Sequence, residues 1–337
     1  MKPAVLVTGG AGYVGSHACK ALSAAGYLPV SLDSLVRGHD WAVRWGPLVR
    51  CDVGDTDRVR EVIRDHRIEA VLHFAAFAYV GESMREPRKY FSNNVATSLK
   101  LLDAVVAEKV RHVVFSSTCA TYGYPDEVPI DEHHRQRPVN PYGESKLFVE
   151  RALRWCGESH DLRYVALRYF NAAGADPDGD LGEAHDPETH LIPLAMQAAT
   201  SDLQHVEIFG TDYDTPDGTA VRDYVHVADL ADAHVRALQY LRSSGESTAL
   251  NLGTGTGHSV RKVISTVADV AGRSVPIIEG PRRPGDPPAL VADPSAARAV
   301  LGWDTSHSDL ATMVETAWRW HEATREKLAY VASAGSY

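Results

Sequence analysis

The sequence predicts an α/β protein, a doubly wound parallel sheet with a smaller C-terminal α/β lobe. Two observations carry that expectation. Apolar runs of strand length alternate with helical patterns through the first half, and from about residue 172 the texture changes to long stretches rich in Gly, Pro and Asp. Alternation of this kind implies a parallel sheet, because each crossover back to the same sheet edge needs a helix that also covers one face.

In order, AVLVTG (4–9) reads as a buried strand and GSHACKALSAAG (15–26) as the helix after it, stopped at Gly26. LPVSLD (28–33), AVLHFAA (70–76) and HVVFSST (112–118) read as further strands. Residues 1–171 are expected to form the first domain and 172–337 mainly the second. Strands around 206–255, from VEIFG (206–210) to ALNLGTG (249–255), are expected to return to the first. The irregular stretches at 172–193, 211–219 and 279–288 carry aromatics and arginines, and long loops in a compact domain are commonly functional. They are expected to form a substrate lobe.

Composition narrows the function. The 337 residues are 44% hydrophobic and 23% charged, an ordinary globular mix. A net charge of −10 without a basic tract argues against nucleic acid as a partner. No apolar run reaches membrane-span length, and MKPAVLVTGGAG lacks the pattern of a signal peptide. Four scattered cysteines without a CxxC fit a reduced, cytoplasmic protein. The 16 histidines include no HExxH and no dense His/Asp grouping, so no metal is expected.

Gly9, Gly12 and Gly15 form a GxxGxxG turn between the first strand and first helix. Such a turn lets a pyrophosphate approach the backbone and presents it with free N–H groups at the positive end of the helix. This makes the sheet Rossmann-type. Asp33 ends the second strand, where a carboxylate accepts from ribose hydroxyls and repels the extra phosphate of NADP. Arg37 is the counter-argument, since an arginine can hold that phosphate; the expectation is NAD. Asp52 and Val53 are expected to bracket the adenine.

Tyr142 and Lys146 lie one helical turn apart in NPYGESKLFVE, with Asn140 placed to cap the helix and Pro141 suited to its first position. A tyrosine is a poor base near neutral pH. A neighbouring lysine and a nicotinamide cation are expected to favour phenolate, so that Tyr142 removes a proton from a sugar hydroxyl. A hydroxyl at the tip of HVVFSST completes the set: Thr118, with adjacent Ser117 as the alternative.

The turn, Tyr142-x-x-x-Lys146 and SSTCATYG (116–123) resemble extended short-chain dehydrogenases/reductases. RYFNAAGADPDGDLGE (168–183), ETHLIP (188–193), GTDYDTPDGTAVRDYVHVADLADAH (210–234) and RRPGD (282–286) resemble the UDP-glucose 4-epimerase family. The resemblance runs from residue 4 to about 320. It implies that Tyr13, Val14, Ser34, Gly38, Phe74, Ala75, Ala76, Ala78 and Asn93 line an NAD pocket with Phe170 near the nicotinamide. It also implies that Asn171, His190, Leu191 and Phe209 contact a UDP-sugar, that Arg222 and Arg283 clamp its diphosphate, and that Asp286 binds the uridine ribose. Leu290 falls where, in the family, a bulky Tyr excludes N-acetylated sugars and a small residue admits them; leucine is intermediate in bulk, so UDP-GlcNAc is neither predicted nor excluded. A homodimer is implied as well.

Two departures stand out: Ala78 where some members have lysine, and His190 where asparagine is frequent. The implied reaction is inversion at C4 through a 4-keto sugar, with glucose/galactose first, pentoses second and N-acetylhexosamines third. A 4,6-dehydratase would need Asp-Glu after the strand-end Thr, where this chain has Cys119 and Ala120. A non-catalytic dinucleotide sensor would not need Tyr142, Lys146 and a strand-tip hydroxyl together.

Overall fold

The computed structural model describes residues 2–283 and 285–334, with side chains to Arg325; the expected end of the second domain at 337 lies outside them. The first half runs β1 (Ala4–Thr8), α1 (Tyr13–Ala24), β2 (Leu28–Asp33), β3 (Leu48–Arg50), α2 (Thr56–His66) and β4 (Ile68–His73). Then come α3 (Val80–Arg85), α4 (Pro87–Tyr90), a π-helical turn at Phe91–Ala96, α5 (Thr97–Ala107), β5 (His112–Thr118), α6 (Pro141–Ser159) and β6 (Arg163–Tyr169). Beyond them lie β7 (Asn171–Ala173), α7 (Leu191–Ala199), β8 (Val206–Phe209), β9 (Val221–His226), α8 (Val227–Arg242) and β10 (Thr248–Leu252). The chain closes with β11 (Gly257–Ser259), α9 (Val260–Ala271), β12 (Ile277–Gly280), β13 (Ala289–Leu290), α10 (Ser295–Leu301) and α11 (Leu310–Ala334).

Seven strands form one parallel sheet in the order β3-β2-β1-β4-β5-β6-β10. Both faces are covered, so β1 is apolar at nearly every position rather than alternating. Val5 and Val7 pack into the core on one face, with residues of α1 and α8, while Ala4 and Leu6 pack on the other, with α2 and α5. Val5, Leu6 and Val7 are fully buried, each contributing about 1.5–3 kcal/mol. The strand order reverses between β1 and β4, which opens a crevice at the carboxyl edge.

Where the elements differ from the sequence reading, the reasons are local. The first helix begins at Tyr13 and ends at Ala24, with Gly26 in the left-handed region at φ 89°. Strand β4 stops at His73, because Phe74 and Ala75 both donate their N–H to Thr8 O and turn away. Of the two late strands expected in the main sheet, β10 pairs with β6 at its edge. Val206–Phe209 does not join it: β8 pairs with β12 in a separate two-stranded sheet. Its side chains Val206 and Ile208 instead join α7, α9 and α11 in a core of their own. A third sheet centres on β9, with β7 and β13 parallel and β11 antiparallel to it.

Candidate active site

A cleft of about 1930 Å³ lies along the carboxyl edge of the main sheet, lined by Gly9, Asp33, Phe74, Thr118 and Phe170, which end or follow five of its strands. At its dinucleotide end the glycines have visible reasons. Gly9 sits at φ 72°, and a Cβ on Gly15 would stand 2.1 Å from Gly9 O. Gly12 caps α1 with no side-chain hydrogen bond, which leaves the first N–H groups of the helix facing the cleft. This cradle, which a Cβ would fill, fits a dinucleotide pyrophosphate.

Asp33 closes the same end. Its carboxylate accepts from Ala11 N at 3.0 Å and Leu35 N at 2.8 Å. Burial raises its pKa and these bonds oppose that rise. Tyr13, Val14, Ser34, Gly38, Asp52 and Val53 line the cleft around it. Arg37 also reaches the cleft, but its guanidinium is occupied: it donates to Asp186 O and lies 5.2 Å over the Tyr79 ring. Ala75, Ala76 and Ala78 line the next stretch. Asn93, in the π-helical turn, faces the cleft, while its neighbour Asn94 is buried and binds the Phe77 backbone through both N–H and C=O.

The centre is built by α6. Asn140 Oδ1 accepts from Gly143 N at 2.8 Å and Pro141 starts the helix. A Cβ on Gly143 would stand 2.4 Å from Ala120 O, so glycine there lets the helix approach the tip of β5. Tyr142 thereby faces the cleft near Thr118. Ser117 points the other way and donates to Glu150, which Arg168 holds at 2.7 Å. Lys146 lies behind Tyr142 rather than on the cleft wall, and donates to Ser116 O at 2.8 Å.

The electrostatics differ from the sequence expectation. Burial pushes the Tyr142 phenol well up, as does Tyr169, while the Thr118 hydroxyl beside it acts the other way. Lys146 does not supply the lowering anticipated: burial brings its own pKa down to about 7, against a smaller upward pull from Glu150. A lysine this buried gives up its charge more readily than it imposes one. Tyr169, which sequence reasoning missed, is partly buried beside this centre with its hydroxyl 2.7 Å from Ser116 Oγ. Only its place at the end of β6, next to Phe170, hinted at it.

The opposite wall comes from the loops. Asn171, Leu191, Phe209, Arg222, Arg283, Asp286 and Leu290 all line it. Arg222 stands 3.8 Å from Asp286 and Arg283 lies 4.2 Å over the Phe209 ring. The adjacent Arg282 is turned out to Asp212 at 2.7 Å. Leu290 is buried in one cluster with Cys119 and Phe170.

Two of the histidines, which the sequence reading left ungrouped, are brought together with carboxylates. Glu183, His185, Glu188 and His190 come together within 4.8 Å at the cleft wall. The sign was there in GEAHDPETH, five ligand-type residues within eight positions, but it matches no familiar zinc spacing. His190 contacts Glu183.

A glycine-turn cradle, a Tyr/Lys helix and a hydroxyl at a strand tip, on one parallel sheet, define a nicotinamide-dinucleotide α/β enzyme. The pattern of the NAD dependent epimerase/dehydratase family matches residues 5–253, and the chain belongs to that family. It is similar to the UDP-glucose 4-epimerase of Rhizobium meliloti (strain 1021), with 54% identity covering 94% of this chain and 96% of the relative. The crystal structure of UDP-glucose 4-epimerase from Brucella ovis in complex with NAD superposes with TM-score 0.92 at 52% identity, over 94% of this chain and 98% of that one. That of UDP-glucose-4-epimerase from Stenotrophomonas maltophila, with bound NAD and formylated UDP-arabinopyranose, gives TM-score 0.93 at 42% identity, over 96% and 99%.

Proposed function

We propose that this chain is an NAD-dependent 4-epimerase of UDP-sugars, with UDP-glucose and UDP-galactose as its main pair. The observation that carries the reading is one continuous cleft with a dinucleotide cradle at one end, Tyr142 at its centre and two arginines on the far wall. Bound NAD would supply the hydride-accepting and hydride-returning chemistry at the sugar C4. Gly9, Gly12 and Gly15 would hold its pyrophosphate and Asp33 its adenosine ribose.

Tyr142 takes the O4 proton and later returns it. Burial and, to a lesser degree, Tyr169 oppose its ionisation, so the positive charge to favour phenolate would be that of a bound nicotinamide ring. Thr118 hydrogen-bonds the reacting oxygen and passes the proton to Tyr142. Arg222 and Arg283 hold the diphosphate while the 4-keto sugar turns over, because guanidinium groups suit phosphate oxygens. Asp286, beside Arg222, takes the uridine ribose. Proton and hydride both return to the sugar, so net redox change is zero.

Leu290, buried against Cys119 and Phe170, closes the sugar wall and favours sugars without an N-acetyl group. Dehydration has no candidate acid here: burial pushes the Cys119 thiol up to about 12, and Ala120 carries no acid. Two copies are inferred to pair through α5 and α6, which expose Leu99, Phe148 and Trp155. No described helix is long and apolar enough to cross a membrane; with four free cysteines, a reduced cytoplasm is the inferred setting.

The test is incubation of purified protein with UDP-galactose and no added nicotinamide, with separation of the products. UDP-glucose forming to equilibrium without accumulating NADH supports the reading. A 4-keto-6-deoxy product, or no conversion even with added NAD, overturns it.

A further inference from the structure

We propose that Glu183, His185, Glu188 and His190 bind a divalent transition-metal ion of the zinc type, which fastens the loop between β7 and α7 at the mouth of the cleft. Each side chain offers one ligand-type atom, and all four atoms lie within 4.8 Å of one another. Glu183 Oε1 is 2.8 Å from His185 Nδ1, which is 3.8 Å from Glu188 Oε1. A tetrahedral zinc ion with bonds of about 2.1 Å sets its donors about 3.4 Å apart. Across the set the gaps run from the Glu183–His190 contact, which is shorter than that spacing, up to a limit of 4.8 Å, so side-chain movement about the centre closes it. Two imidazoles and two carboxylates complete four-coordination and match the ion's charge. Imidazole donors favour zinc over magnesium or calcium, which take oxygen ligands.

A second observation points to a cation. His185 Nδ1 is buried and has no hydrogen-bond partner: it lies close to Glu183 but not in hydrogen-bonding geometry. A buried polar atom without a partner needs an explanation, and a metal shared with Glu183 gives one. The cluster is also held in shape beforehand. Glu188 Oε1 accepts from Thr189 N at 2.6 Å and His190 N at 2.9 Å, and both glutamates are 7% exposed.

The position indicates a holding role. The loop meets the dinucleotide domain here: the rings of Tyr13 and Tyr79 each stand perpendicular to the His185 ring, and His39 donates to Ala184 O at 2.7 Å. His190 immediately precedes α7, so the ion would fix how Leu191 enters the cleft. None of the four is among Tyr142, Lys146 and Thr118. The proposal therefore stands whichever sugar is turned over.

The experiment is titration of chelator-treated, full-length protein with Zn²⁺ by calorimetry and with Co²⁺ by visible absorption. His185→Asn and Glu188→Gln are run alongside, each first checked for folding by circular dichroism. The expected result is one ion per chain, a visible band typical of four-coordinate cobalt, and affinity about 100-fold lower or worse in both folded variants, as loss of a direct ligand should cost at least as much as loss of a supporting one. Absence of saturable binding by the wild-type chain overturns the proposal without reference to any variant. So does binding that both variants retain unchanged, because the ion would then sit on other histidines.

Discussion

The sheet behind Tyr142 and the loop wall opposite it each carry a shielded arginine, and they use it in opposite ways. Arg168 of β6 is 7% exposed and fully spent on protein: Glu150 at 2.7 Å and the Tyr122 hydroxyl at 3.0 Å. Arg222 is also largely covered, yet its only carboxylate among the described residues is Asp286 at 3.8 Å. Arg283 lies over an aromatic ring. A charge satisfied at close range stabilises its surroundings, whereas one buried and loosely paired is ready for a ligand. The difference separates scaffold from site better than burial does.

The largest break in that comparison falls at the centre. Tyr142→Phe removes the proton acceptor and leaves the cradle intact, so turnover should fall by about 10²–10⁴ while NAD co-purifies as before. Steady-state kinetics and cofactor content of the same preparation check both halves. Full activity in this variant would remove Tyr142 from the mechanism.

Arg168→Met tests the scaffold side. Leaving Glu150 buried and unpaired should cost about 3–5 kcal/mol in unfolding free energy, read from denaturant melts. A loss confined to substrate affinity, with stability unchanged, would erase the distinction between the two kinds of arginine.

Lys146 gives a pH test. Its folded pKa is lowered to about 7 from an unfolded 10.5. Between those values the unfolded chain holds a proton that the folded one lacks, so stability contributed through this group rises with pH, by about 1.4 kcal/mol per unit. The cost is fully present below about 7 and fades towards the unfolded value. Lys146→Met lacks this slope, so the stability gap between the two proteins should shift steadily across that window. A constant gap would place the ammonium in a solvated setting.

Arg222→Ala and Arg283→Ala should each weaken UDP-sugar binding by about 1.5–3 kcal/mol, roughly 10–150-fold, with melting behaviour little changed. Isothermal titration with UDP separates this from a loss of turnover. The smallest effect belongs to Leu290→Ala, which enlarges the wall near Cys119 and Phe170. It should raise relative activity on UDP-GlcNAc by about tenfold or less, on the scale of a few methylenes in a pocket. Unchanged relative rates would remove Leu290 from sugar selection.

Much of the first domain was legible because its signals are local. HVVFSST is a strand over those very residues, and NPYGESK announced a capped helix whose cap and first residue are as read. The glycine turn was equally plain, since a close backbone approach leaves only one residue type. Less legible was anything that depends on which strand a segment pairs with. VEIFG is a strand, but periodicity carries no information about its partner, and it joined Ile277–Gly280 instead of the main sheet. Arg282 and Arg283 are adjacent and chemically identical, and only packing turned one to Asp212 and the other to Phe209.

By itself, then, the sequence determined the chemistry-bearing parts that sit within one turn or one strand tip: the cradle, the Tyr142 helix and the Thr118 hydroxyl. Short-range geometry fixes these wherever the segment lies. The tertiary structure decided the rest. It turned Ser117 away to Glu150, set Lys146 behind Tyr142 rather than on the cleft wall, and let burial outweigh charge at both. It also drew Glu183, His185, Glu188 and His190 into one cluster. Desolvation and side-chain convergence are properties of packed surroundings, and no stretch of residues carries its surroundings with it.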